Sequence, residues 1–471
     1  MASTITAPAY DPTTTAQALA EKYTAPTQSK IQTDTTTTTA TAKALSTLSS
    51  AISAFQGSLS SLTGLGKSVL AQSATLSDTS FGSASAKSSA ASGTYSLFVK
   101  QVATAGQVSY NGLADGATLG GTLKVKLSDE SAASATPLSF DVDLSAANAD
   151  TDKDGVLSVR ELASAINRSS GNAGQVSAGV VTIGSETRLV LTSKNTGVAN
   201  TISLDPSGAT GASLQTGLAT ANRTMVTAAQ DAIVMLGGEN GTAIKQSSNT
   251  FTNIDGVSFT VSKAQSTGST PVTLTVSGDS NGTTRNVQSF VDAYNKLKSA
   301  IDGLVDAGDP ANKVSAGAFA HDAGVSALQS RLVSLMRPLG VTSLASYGIT
   351  ANRDGSLSLD SGRLTKQLAV DPTSLDKLLG SASISNPSGV AGSLNTYLNQ
   401  WSNSATGQIK TRTDANNALS ATLTKRQADL DSMYNSAYSR YLKQYTDLQA
   451  LQSTMNSNLS MFDALFSSDK S

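Results

Sequence analysis

The chain has no cysteine among its 471 residues, which excludes disulfides, thiolate metal sites and cysteine nucleophiles together. Aromatic residues make up only 5%, so a core must be built mostly from Leu, Val, Ile and Ala. Charge is scarce too, at 14%, and nearly balanced: 33 Lys and Arg against 34 Asp and Glu give a net charge of -1. Such a balance excludes electrostatic capture of nucleic acid or of an anionic membrane as the main task of the chain. No run approaches the ~18 apolar residues needed to span a bilayer, so membrane insertion is not expected. The stretch Met1-Ala2-Ser3-Thr4-Ile5-Thr6-Ala7-Pro8 has no basic segment followed by an apolar run, and no cleaved secretory signal is expected. A cytosolic protein remains, or one exported by a route that reads no such signal.

What is present changes along the chain. From Leu45 the apolar residues fall at Leu45, Leu48, Ile52, Phe55, Leu59, Leu62 and Val69, with Gly66 as the one lapse. This is the a/d repeat of a coiled coil, and it predicts a rod of roughly 37 Å. Gly57 and Gly64 lower helix propensity without touching the seam. Upstream, the threonine run Thr35 to Thr39 weakens the pattern, so residues 1–40 are expected to be mobile or ordered only against a partner. At the other end Tyr434, Tyr441, Leu448, Met455 and Phe462 recur every seven residues, and Ala437, Tyr438, Tyr445, Leu451, Leu459 and Leu465 broaden that stripe. With no Gly or Pro after Gln408, one helix of about 50 residues, roughly 75 Å, is expected. These tyrosines and methionines read as packing rather than as a cofactor box.

Between the ends the texture is β. Tyr95, Leu97 and Val99 alternate, as do Leu123, Val125 and Leu127, and Val257, Phe259 and Val261. Gly120-Gly121, Gly237-Gly238, Asn240-Gly241, Asp255-Gly256 and Asn281-Gly282 supply turn chemistry. Helices are expected at Arg160–Asn167 and again from Arg285, where Val287, Phe290, Val291, Tyr294, Leu297, Ile301 and Leu304 keep helical spacing. Then come Val325–Met336, closed by Pro338 and Gly340, and Leu364–Leu368, with Asp371-Pro372 as N-cap and first residue of a further helix. The helical region is expected to continue from there to the end.

The fold expected is therefore α+β and multidomain. Both chain ends form a helical coiled-coil stalk, because neither apolar stripe can bury itself alone, and a β-rich head of two domains is inserted between them. The boundaries read as a mobile segment 1–40, an N-terminal leg 41–75, an inner head domain 76–112 plus 228–284, an outer head domain 113–227, a helical leg domain 285–407, and a C-terminal coiled-coil helix with terminal segment 408–471.

Several stretches in fixed order carry a resemblance. They are Gly93-Thr94-Tyr95-Ser96-Leu97-Phe98-Val99-Lys100-Gln101-Val102-Ala103, Ala165-Ile166-Asn167, Arg188-Leu189-Val190-Leu191-Thr192-Ser193, Ser248-Asn249-Thr250-Phe251 and Asp255-Gly256-Val257. After them come Val287-Gln288-Ser289-Phe290-Val291-Asp292-Ala293-Tyr294-Asn295-Lys296-Leu297, Tyr347-Gly348-Ile349-Thr350, and Asp354-Gly355-Ser356-Leu357-Ser358-Leu359-Asp360 with Leu364. The set resembles the bacterial flagellar filament cap family, also called hook-associated protein 2 or FliD. The N-terminus departs from the family's Gly- and Leu-containing stretch: it reads Ala7-Pro8-Ala9-Tyr10-Asp11-Pro12-Thr13-Thr14-Thr15, and only Ala16, Leu19, Ala20 and Tyr23 keep an apolar stripe.

The resemblance implies a homo-oligomer at the filament tip, with heads forming a plate and helical legs reaching the filament. Flagellin arriving through the central channel folds and inserts beneath that plate without leaking away. It further implies contact with hook–filament junction proteins and secretion through the flagellar type III apparatus to an extracellular position. An export chaperone is implied at the C-terminal helix, here Gln427–Phe466.

Catalysis has little to stand on. His321 is the single histidine and is followed directly by Asp322, an arrangement that does not make a Ser-His-Asp site. Asp322 reads as the cap of the next helix and the lone Trp401 as packing. The sharpest local motif is Asp150-Thr151-Asp152-Lys153-Asp154-Gly155-Val156-Leu157-Ser158-Val159-Arg160-Glu161. It has acids at positions 1, 3, 5 and 12 of an EF-hand calcium loop, Gly at 6, and the Val156 carbonyl at 7. Ser158 and Glu161 equally form a capping box for the following helix, and Phe140, Val142 and Leu144 read as a strand where an EF-hand has a helix. No cofactor is required by either reading; calcium is the one candidate.

Two rivals stay open beside the cap. One is another axial flagellar protein, flagellin or a hook–filament junction protein, with the same helical ends and β-rich middle. The other is a surface adhesin using the β-rich head.

Overall fold

The computed structural model describes residues 11–130, 138–336 and 343–467. Pro338 and Gly340, expected to close a helix, lie outside them, as do Ala7, Pro8, Ala9 and Tyr10. The chain divides into two compact units, Leu70–Thr283 and the remainder on either side of it.

The first element is α1, Pro12–Thr63. Residues 12–40 are therefore helical and not a mobile segment. Asp11 caps the start, its carboxylate accepting from the Thr13 N–H at 3.0 Å, and Pro12 takes the first-turn position where no N–H is needed. The threonines do not break the helix because their hydroxyls bond back one turn, Thr36 to the Gln32 carbonyl and Thr38 to that of Asp34. Gly64 ends it: a Cβ there would lie 2.4 Å from the Ser60 carbonyl oxygen. Val69 is buried but lies beyond the helix.

The unit Leu70–Thr283 holds two separate apolar cores. In the first, a five-stranded antiparallel sheet runs in the order Ala71–Leu76, Val272–Asp279, Gly93–Gln101, Ala232–Leu236, Thr242–Gln246. A three-stranded sheet of Thr250–Phe251, Val257–Val261 and Gly82–Ala86 shares its core, with Leu97, Val99, Val234, Leu274, Phe251 and Phe259 buried together. Residues 71–75, expected in the leg, thus belong to a sheet, because Ala71–Leu76 pairs along its length with Val272–Asp279.

The second core lies under a four-stranded sheet, Arg223–Thr227, Ala105–Tyr110, Glu186–Thr196, Val176–Ile183, and a three-stranded one, Leu138–Asp143, Thr122–Ser128, Thr201–Asp205. Tyr110, Leu123, Val125, Phe140, Leu189 and Leu191 fill it. Strand Ala105–Tyr110 was expected with the inner domain. It pairs instead with Glu186–Thr196, Val108 opposite Leu191, and buries Val108 and Tyr110 in the second core. Three helices accompany this core: α2 (Ala146–Ala149), α3 (Val159–Arg168) and α4 (Ala212–Gly217).

The helices that follow are α5 (Ser280–Val305), α6 (Ala323–Leu335), α7 (Ser361–Val370), α8 (Ser374–Leu379), α9 (Gly389–Ser402) and α10 (Gln408–Ser467). Helix α5 starts at Ser280, ahead of the expected Arg285. Asn281-Gly282 is its first turn, where the Gly282 N–H donates to Asp279. The region is not wholly helical. Ile349–Ala351 and Leu357–Leu359 form a hairpin, docked on α5 by Asn295, whose side chain bonds both backbone groups of Leu357. Asp371 caps α8 from outside, accepting from the Ser374 N–H at 3.1 Å, so the helix begins two residues later than the Asp-Pro pair predicts.

Candidate functional site: the terminal helix pair and the acidic loop

Helices α1 and α10 pack against each other, antiparallel. Gln28 and Gln427 exchange amide hydrogen bonds, and the Asn416 amide donates to the Thr38 carbonyl at 3.1 Å. The α1 seam is a strict heptad, Thr24, Ile31, Thr38, Leu45, Ile52 and Leu59, all buried. Its counterpart on α10 is Ile409, Leu423, Leu430 and Ala437, also buried, with half-buried Asn416 filling the remaining heptad position. A polar residue at one seam position is a known device for fixing register.

This register relocates the two stripes read from the sequence. Leu45, Leu48, Ile52, Phe55 and Leu59 are buried and Leu62 half-buried, but much of this stripe runs past the start of α10. Phe55 meets Phe290 and Tyr294 of α5, ring centroids 6.4 Å apart in both pairs, and Gln56 bonds Asn395 of α9. On α10, Tyr434 and Tyr441 flank the true seam, half-buried. Leu448, Met455 and Phe462 are exposed at 41%, 51% and 56%, because Gln28 opposite Gln427 brings Pro12 roughly level with Lys443. The stripe centred on Tyr441 is therefore not the face that meets α1. Leu423 and Leu430 were missed, and Ala437 was read only as a flank of the stripe, although the three keep the same spacing, since Tyr and Met outweigh Ala and Asn in any count of apolar size.

Arg412 fastens α10 to the helices beside it. Its guanidinium forms two bonds to Asp322, at 2.5 and 3.1 Å, and lies 5.5 Å from the ring of buried Trp401. Asp322 also caps α6 through the Val325 N–H. His321 beside it is exposed. The Arg412 bond, with smaller help from the Val325 N–H, holds the Asp322 carboxyl below the ordinary carboxylate range. A depressed acid stabilises the fold above its ordinary pKa and loses that contribution as pH falls through the folded value. Arg412→Met should cost about 1–2 kcal/mol at neutral pH and flatten the acid limb of the stability curve. Thermal melts of both proteins from neutral pH to about pH 3 measure this; coincident curves would exclude it.

The acidic loop connects α2 to α3. One helical turn, α2, thus precedes it where a strand alone was expected. Asp150, Asp152 and Asp154 bring carboxylate oxygens within 4.8 Å of one another. Gly155, at φ +83°, makes the turn and donates to Asp150 Oδ2 at 3.1 Å. Glu161 does not join the cluster. One of its oxygens accepts from Thr151 N–H and hydroxyl, the other from Ser158 N–H and hydroxyl, and Ser158 completes the capping box of α3. The Ser158 and Thr151 bonds push the Glu161 pKa down to about 2. Val156 is exposed and its N–H donates to Asp154.

Two long terminal helices that pack on each other, with a β-rich unit between them in the sequence, make this an α+β multidomain protein. Among the described residues no helix is long and apolar enough to cross a membrane. Family models of the flagellar hook-associated protein 2 N-terminus and C-terminus match residues 9–106 and 229–457. The lateral flagellar hook-associated protein 2 of Vibrio parahaemolyticus is 34% identical over 393 residues, 83% of this chain and 85% of that protein. The B-type flagellar hook-associated protein 2 of Pseudomonas aeruginosa is 31% identical, with 88% and 86% covered. The crystal structure of the D1-D2-D3 domains of the flagellar cap protein FliD from Escherichia coli superposes with a TM-score of 0.57 at 26% identity, covering 79% of this chain and 99% of that one. The chain belongs to the flagellar hook-associated protein 2 family, the FliD filament caps.

Proposed function

We propose that this chain is secreted through the flagellar type III apparatus and caps the growing filament as a homo-oligomer. In this reading the two β cores act as inner and outer head domains of the plate, flagellin folds and inserts beneath it, and hook–filament junction proteins are its first neighbours. The observation that carries the reading is similarity over most of the chain to a protein solved as a flagellar cap. The exposed apolar residues of α10 beyond Lys443, among them Leu448, Leu451, Met455 and Leu459, support contact with other molecules. An export chaperone before secretion, along Gln427–Phe466, and neighbouring legs after it both fit; the side chain of Phe466 lies outside the described residues. The seam residues Leu45, Leu48, Ile52, Phe55 and Leu59 serve the leg by holding α1 in place.

Deletion of the gene, followed by assay of flagellin in cells, filaments and medium, tests this. Monomeric flagellin in the medium of filament-less cells is the expected result; normal filaments would overturn it. Assembly of the purified protein separates the nearest rival: a closed small oligomer is expected, whereas long filaments would indicate flagellin.

A further inference from the structure

The Asp150–Glu161 loop contains a feature that helix capping does not explain. Glu161 is accounted for, since its oxygens are occupied by loop and cap donors. Each of the three aspartates accepts one loop N–H, Asp150 from Gly155, Asp152 from Asp154 and Asp154 from Val156, which occupies one oxygen and leaves the clustered charge unbalanced. Among the described residues none of them is in an ion pair, yet their carboxylates converge within 4.8 Å. Asp150 adds an independent observation: its Oδ1 is shut off from solvent and receives no hydrogen bond, while Oδ2 takes the Gly155 N–H. Buried carboxylate oxygens are almost always paired in folded proteins. An orphaned one beside two further carboxylates points to a cation as the missing partner.

We propose that Asp150, Asp152 and Asp154, with the Val156 main-chain carbonyl, form a calcium site in the second β core. All ligands are oxygens, as a hard cation requires, and a spacing within 4.8 Å is about twice the ~2.3–2.6 Å calcium–oxygen distance. Water completes the shell on the exposed side of Asp152 and Asp154. Glu161, the twelfth loop residue, is a positioning residue and not a ligand: by accepting from Thr151 and Asp152 N–H groups it holds the loop in the shape that gathers the aspartates. Withholding that fourth carboxylate places the affinity in the range of extracellular calcium modules, with Kd about 0.1–1 mM. The bound ion would tie α2 to α3; Ala149 of α2, Leu157 of the loop and Leu162 of α3 are buried in the same core.

Calorimetric titration of the full chain with calcium chloride after chelator treatment tests the proposal, with thermal melts in parallel. Saturable heat and a melting temperature that rises with the logarithm of calcium concentration are expected, with magnesium at least about tenfold weaker. Asp154→Asn and Asp152→Asn, both at exposed positions, should retain the wild-type circular dichroism and bind at least about tenfold more weakly. Absence of heat and of any shift at about 10 mM calcium, an order of magnitude above the weakest modules of this kind, would overturn the site. So would an equal shift in folded variants, which would mark a general salt effect. The test is independent of the cap reading.

Discussion

Replacing Ile52 with Asp should abolish the folded terminal-helix unit. Ile52 is fully buried in the C-terminal half of the α1 seam, with Leu48 and Phe55 buried on either side of it in sequence, and Phe55 in turn contacts Phe290 and Tyr294. The substitution removes the packing of a large aliphatic side chain, a loss of about 2–5 kcal/mol. It also leaves a carboxylate without a partner in an apolar site, which costs several kcal/mol more or forces protonation. Together these reach the ~5–15 kcal/mol stability of a whole domain. Far-ultraviolet circular dichroism and limited proteolysis of the purified protein should show loss of the helical transition, and cells carrying the variant should be non-motile. Ile52→Val is the control, at about 0.5–1.5 kcal/mol. A wild-type melt for Ile52→Asp, or a motile strain with normal filaments, would refute the role given to this seam.

Phe259→Ala should damage the first β core to a comparable degree. Phe259 and Phe251 are both buried and stack with centroids 5.0 Å apart and planes 7° from parallel. They come from adjacent strands, paired directly opposite each other. Truncation to Ala in such a site costs about 3–5 kcal/mol, since the surrounding core, which includes Val234 and Leu274, relaxes only in part around the gap. Scanning calorimetry should show one transition moved down and the transition of the helical unit unchanged. Phe259→Leu, which keeps most of the volume, should recover more than half of the loss. If Phe259→Ala melts like wild type, the stacked pair is not the centre of that core.

The fold class was legible because the signals it rests on are local. Alternation over Leu123–Leu127 and Val257–Val261 marks strands whose alternate residues are buried, and Asp322 caps its helix as its position predicts. Partnership was not legible. The heptad from Leu45 identifies buried residues, yet no pattern in α1 says that Phe55 meets α5 while Ile31 lies on the α10 side. Residues 12–40 were missed because threonine is read as a weak helix former. In the folded chain Thr24 and Thr38 occupy seam positions and satisfy their hydroxyls internally. In the acidic loop the spacing named three aspartates whose carboxylates converge, but the separation of Glu161 from them depends on which donors lie nearer, and that is settled only in three dimensions.

The composition of the α1 seam has a consequence for how the terminal pair opens. From Leu45 to Leu59 the helix is held by large side chains; from Ala16 to Thr38 mainly by Ala and Thr, with Ile31 the exception. Pro26 removes one backbone bond within that thinner half. Apolar burial sets the free energy of local opening, so α1 is graded like a zipper, cheap to part at Pro12 and costly at Thr63. A helix built in this way can be peeled from its leading end while its root stays fixed, and can exchange one helical neighbour for another without unfolding the unit to which it is attached.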